Sequence, residues 1–114
     1  LAALGVAIGA FGAHGMADPQ AKAWIETGSR QHMTHALAMF AALFVAERAG
    51  RSPWPPIGAF ALGIACFSGA LYALALGAPR GVAMLAPVGG LSFIAGWVMV
   101  AWSGRKTRAE GETP

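Results

Sequence analysis

Three histidines, one tyrosine and one cysteine are the side chains that bring ligating, acid–base or redox chemistry into the apolar stretches of this 114-residue sequence. His32 and His35, three apart, share one face of a helix. With His14 they form a conceivable metal set. No Cys, Asp or Glu stands at that depth to complete it, so no metal site is expected. Haem would need axial ligands at matched depth, which His14 and His35 on separate stretches could supply; no cofactor is expected. Ser68 lacks an evident base and an orienting carboxylate, so no catalytic residue is assigned and no enzyme is expected. The lone Cys66 excludes an internal disulfide and a multi-cysteine metal site, and reads as a small apolar filler.

The elements that would carry these groups follow from composition. Hydrophobic residues make up 56% of the chain and charged ones 11%, against about 25% charged in ordinary soluble domains. Mean hydropathy is +0.55. The eight basic residues are scattered between apolar runs. Nucleic-acid binding needs a clustered positive field, so no nucleic-acid partner is expected.

Four apolar stretches, 1–13, 29–47, 54–77 and 81–102, read as membrane spans. The first covers only about 20 Å of a ~30 Å hydrocarbon core, and is read as the end of a helix that starts earlier. Ser29 reads as the N-cap of the second. Ala78-Pro79-Arg80 joins the last two as an antiparallel hairpin. Between the first two spans, Asp18-Pro19 is a helix start, and Ala21, Trp24 and Ile25 form an apolar stripe. That piece reads as a short amphipathic helix in the interface, with Trp24 towards lipid and its end at Gly28. The expected fold is thus all-α: a transmembrane bundle of four helices, the first truncated at its start, plus an interfacial helix. Residues 1–104 form one transmembrane domain, and 105–114 a basic, polar, disordered tail. Arg48, Arg51, Arg105, Lys106 and Arg108 fall on one side of the membrane, Lys22, Arg30 and Arg80 on the other. Five against three makes the first side cytoplasmic.

The other side is where polar residues gather. Counted from Ser29, His35 lies about 9 Å deep, and Tyr72 lies at about 8 Å counted from Gly77. Pro87 stands at similar depth in the fourth span, where its missing N–H would free the carbonyl of Ala83. His14, His35, Ser68, Tyr72 and Pro87 are the candidate polar cluster. His35 is expected to bond Tyr72 or the fourth helix and lock the bundle, since a buried imidazole in lipid must find a partner.

Small residues mark the expected packing faces: Gly5 and Gly9; the ladder Ala61, Ala65, Gly69, Ala73, Gly77; and Ala86, Gly90, Ser92 and Gly96. Helices in lipid associate through close backbone approach along such faces. Internal packing is the first expectation for them; docking on another subunit is the second.

Phe11-Gly12-Ala13-His14-Gly15, Met33-Thr34-His35-Ala36-Leu37, Phe67-Ser68-Gly69-Ala70-Leu71-Tyr72, Pro87-Val88-Gly89-Gly90 and Gly96-Trp97 follow in that order. Together they resemble the small four-helix membrane proteins of domain of unknown function 423, which includes transmembrane protein 256. The chain departs from that pattern at Gln31, His32 and Thr34. The resemblance implies an integral, multi-pass membrane protein, in the plasma membrane of bacteria, and no established reaction. The functional expectation is a non-catalytic scaffold or accessory subunit in the bilayer, beside other membrane subunits. The alternative is a binder or carrier of a small apolar or amphiphilic molecule in a pocket around His35 and Tyr72.

Overall fold

The computed structural model describes the backbone of residues 1–112 and the side chains of residues 1–105. Four long helices are present: α1 (Ala2–Gly15), α2 (Pro19–Ala49), α3 (Trp54–Ala75) and α4 (Leu85–Glu112). No strand occurs among the described residues. A π turn, Ile64–Ser68, interrupts α3, and a 3-10 turn, Arg80–Met84, leads into α4. Two helices, Trp54–Ala75 and Arg80–Arg105, are long and apolar enough to cross a membrane.

The helix ends follow local chemistry. Asp18 caps α2 by accepting from the N–H groups of Gln20 and Ala21, and Pro19 takes the first helical position. Gly50 (φ 65°) and Gly77 (φ 98°) are the two left-handed residues of the described chain. They close α2 and α3: Arg51 N–H reaches Ala46 O at 2.9 Å, and Ala78 N–H reaches Ala73 O at 2.9 Å. Both are Schellman closures, which need a residue free of the Cβ penalty at positive φ.

Helices successive in the chain run antiparallel, as their contacts show. Gly5 lies against Met33 and His32, Gly9 against Ser29, and Gly12 against Ile25, so α1 descends as α2 rises. Gly28 meets Tyr72 and Leu71. Gly63 and Gly96 take the rings of Phe93 and Phe60 respectively, while Gly89 lies on the main chain of Phe67 and Gly63. Ala36, Ala38, Ala42, Phe60, Ile64 and Phe93 form the buried cluster at the centre of the core.

Several expectations are corrected. The interfacial helix and second span are one 31-residue helix. Gly28 does not end it, because its φ stays negative and its missing side chain is used by Tyr72. Ala21 and Ile25 are buried, with Ile25 on Gly12 of α1 rather than in lipid. Ser29 is therefore mid-helix and caps nothing. Pro87 breaks no helix: with Arg80–Met84 in 3-10 form, it is the third residue of α4, where the N–H has no helical partner to lose. The backbone past Gly104 continues as helix to Glu112, through good helix formers such as Arg105 and Ala109. Thr113, Pro114 and the side chains of Lys106 and Arg108 lie outside the described residues.

The ladder on α3 is the largest correction. Ala65 is exposed, and the nearest atom to a Cβ built on Gly69 is Ile64 O of its own helix at 4.0 Å. Gly90 likewise faces open space. The inward face of α3 instead carries Pro56, Phe60, Gly63, Ile64, Ser68, Ala70 and Leu74. A core at close-packed density needs the volume of Phe60, Ile64 and Leu74, so the small ladder is turned aside.

Gly89→Leu should therefore lower stability by at least the ~1–3 kcal/mol of ordinary overpacking, because its Cβ would meet main chain that cannot step aside. Gly69→Leu should change stability by less than about 0.5 kcal/mol. Unfolding in mixed detergent micelles measures both; equal losses would show that the two glycines face neighbours alike.

Candidate functional site

Each pair of helices successive in the chain is joined by a serine. Ser29 Oγ donates to Gly5 O at 3.1 Å, from α2 to α1. Ser68 Oγ donates to Gly28 O at 2.7 Å, from α3 to α2. Ser92 Oγ donates to Ala59 O at 2.6 Å, from α4 to α3. Helical carbonyls already accept from their own ladder, and the serines use the second lone pair. Glycines make the approach possible: a Cβ on Gly9 would stand 2.7 Å from Ser29 Oγ, and one on Gly28 would stand 2.8 Å from Tyr72 Cε1.

Inside this frame the two histidines of α2 divide the polar work. His35 is buried and bonded through both ring nitrogens. Nδ1 lies 2.8 Å from Gln31 O, and Nε2 accepts the indole N–H of Trp97 at 3.1 Å. A carbonyl can only accept and an indole can only donate, so the ring is neutral with its proton on Nδ1. It stacks on Phe93, centroids 3.6 Å apart and planes 9° apart, with Phe60 at 5.6 Å. Phe60 in turn meets the Trp97 ring edge-on at 5.2 Å. The His35 ring is thus enclosed by Phe60, Phe93 and Trp97.

Tyr72 pairs with His32 rather than with His35: its hydroxyl lies 2.9 Å from His32 Nδ1. The depth estimate that matched Tyr72 to His35 was counted from Ser29 as a helix start, and α2 starts at Pro19. The contacts on Gly28 set the register, and His32 is one turn beyond Gly28 on the same face.

Of the expected cluster, the structure brings together Ser68 and Tyr72 against Gly28, and seats His35 nearby on Trp97. His14 is exposed in the last turn of α1, and Pro87 is exposed at the start of α4. Neither makes a described hydrogen bond to the cluster. Among the described residues, no three metal-ligating side chains gather. The expected polar cluster left out His32, weighed only as a metal ligand, and Trp97, named only in the Gly96-Trp97 motif. The signal for Trp97 was its spacing of four from Phe93, which stacks both rings on one face.

The chain matches the family described as Protein of unknown function (DUF423) over residues 8–90. The chain belongs to the DUF423 family. Among its relatives, a UPF0382 membrane protein of Haemophilus influenzae is 36% identical over 107 residues, covering 91% of this chain and 86% of the relative. The UPF0382 inner membrane protein YgdD of Escherichia coli K12 is 39% identical over 111 residues, covering 93% and 84%. The UPF0382 membrane protein YwdK of Bacillus subtilis is 39% identical over 106 residues, covering 87% and 85%. No solved structure matches the chain. Membership and the two apolar helices together make this DUF423 chain a membrane protein.

Trp97→Phe should cost about 0.6 kcal/mol, the average interhelical bond measured in a membrane. In that background His35→Ala should cost less than it does in the parent protein, by the same amount. A double-mutant cycle followed by unfolding in mixed micelles reads the difference, and strict additivity would show that the indole bond is not made.

Proposed function

We propose that the protein spans the bacterial inner membrane four times, with the α2–α3 turn and the C-terminal end in the cytoplasm, and acts as a non-catalytic scaffold or accessory subunit. Four crossings fit the large apolar side chains that α1 and α2 also present outward, including Leu4, Val6, Phe11, Leu37, Phe40 and Phe44. The inner membrane fits the printed name of the Escherichia coli relative. The orientation fits the excess of basic residues around the α2–α3 turn and the C-terminal end.

The observation that carries the subunit reading is the open ladder on α3. Ala61, Ala65, Gly69 and Ala73 are absent from the buried residues of α3, and a Cβ on Gly69 would meet no other helix. A face of this kind lets a second backbone approach closely, which is how helices join in lipid. The interior supports the same reading, since His35 is fully bonded and buried among aromatic rings rather than open to a substrate.

Solubilised in mild detergent from its native membrane, the wild-type protein should migrate with a larger particle. Gly69→Leu should release it as a small particle of unchanged thermal stability. A wild-type protein that already migrates as the small particle would contradict the subunit reading.

A further inference from the structure

The two helices that are long and apolar enough to cross a membrane, α3 and α4, share a groove where α3 starts. Pro55 and Pro56 line it from α3, and Val98 and Met99 from α4. Arg51, Ser52 and Trp102 complete it. Because α3 and α4 run antiparallel, these three stand at the outer end, and Val98 lies one turn deeper than Trp102. The volume is about 460 Å³, within the roughly 300–1,000 Å³ of small-molecule sites.

The turn that closes α2 builds the polar end of this groove. Gly50 at positive φ redirects the chain, and the main-chain N–H of Arg51 is taken by Ala46 O at 2.9 Å. Ser52 Oγ accepts the N–H of Trp54 at 3.4 Å, so its own proton is left to donate. Pro55 and Pro56 bring no N–H to the first turn of α3, and the N–H of Ile57 goes to Pro53 O at 3.2 Å. The start of α3 therefore presents no row of open donors. What the groove offers an anion is the Arg51 guanidinium and the Ser52 hydroxyl.

The charges around it have one sign. At this end of the bundle, Glu47 is the one carboxylate among the described side chains, against Arg48, Arg51 and Arg105. Arg48 lies over the ring of Phe44 at 5.4 Å. Trp54 and Trp102, 71% and 60% exposed, mark the level where amphipathic rings meet lipid headgroups. A guanidinium gives a phosphodiester two parallel hydrogen bonds, and a serine hydroxyl adds a third. A zwitterionic head would bring its ammonium among arginines that already outnumber the carboxylate. A free anion would leave the apolar walls unused, and Val98, 61% exposed, is open to a hydrocarbon chain.

We propose that this groove binds one anionic phospholipid, its phosphate held by Arg51 and Ser52 and the first part of an acyl chain lying along Pro55, Val98 and Met99. The lipid bridges the start of α3 to the end of α4. The site rests on neither the ladder on α3 nor the scaffold reading.

The test releases the full chain from micelles holding equal amounts of phosphatidylglycerol and phosphatidylcholine with the same acyl chains, and weighs the retained lipid by native mass spectrometry. One phosphatidylglycerol should stay bound, preferred about tenfold over the choline lipid, as a charge-assisted hydrogen bond implies. Arg51→Gln should abolish that preference, while Arg80→Gln, at the opposite end of the bundle, should leave it intact. Val98→Trp, a change at a lipid-exposed wall, should displace the lipid without altering helix content by circular dichroism. Added inorganic phosphate should not compete. The proposal is overturned if the two lipids are retained alike, if Arg51→Gln acts no differently from Arg80→Gln, or if Val98→Trp keeps the lipid. Displacement by inorganic phosphate would overturn it too, by showing a site for a free anion.

Discussion

The fold depends on helices lying close enough for a serine on one to reach a main-chain carbonyl of the next. Ser29, Ser68 and Ser92 make that bond across the three successive contacts, and Gly9, Gly28 and Gly89 stand where the chains approach. Water cannot supply partners inside a bilayer, and apolar side chains gain little by leaving lipid for one another. Close approach supplies both dispersion contact and a place for each hydroxyl proton. The glycines that achieve it are spread over four helices, rather than concentrated on the ladder that is most visible in the sequence.

The same constraint explains the division between the two histidines. His35 lies where α2 crosses α4, and there Phe93 and Trp97 give it a stack and a donor. His32 lies one turn beyond Gly28, where α2 meets α3, and Tyr72 serves only one side of its ring. The first arrangement is complete and structural. The second ties α2 to α3 through one ring nitrogen only. The π turn at Ile64–Ser68 lies between these levels, at the point where Gly89 rests on the main chain of Phe67. An extra residue in one turn is how α3 presents Phe60 and Ile64 on one side of that crossing and Ser68 and Leu74 on the other.

The all-α class, the membrane setting and the Asp18-Pro19 start were legible because each depends on local composition or on adjacent residues. Gly28 was misread for a physical reason. A glycine at the end of an amphipathic segment looks like a terminator, and only a contact from another helix, Tyr72, shows that its small size is the point. Misplacing that end moved the origin from which depth was counted, and so exchanged His32 for His35 as the partner of Tyr72. The ladder Ala61–Gly77 was misread because spacing shows that a face is smooth, and not which surface lies against it. Trp97 was overlooked as a bonding partner because its indole N–H meets His35 across 62 positions of sequence, a separation that no local pattern encodes.

The central claim is that close contact at specific glycines, and not at the ladder, sets the register of the bundle. Carbon–carbon correlation spectra of the labelled protein in lipid bilayers by solid-state NMR test it most directly. The account predicts cross-peaks joining Gly28 to Tyr72, Gly63 to Phe93, Gly89 to Phe67 and Gly96 to Phe60, with Gly69 joined to no other helix of the same chain. Strong intramolecular cross-peaks from Gly69 to α2 or α4, with those of Gly63 and Gly89 missing, would contradict it.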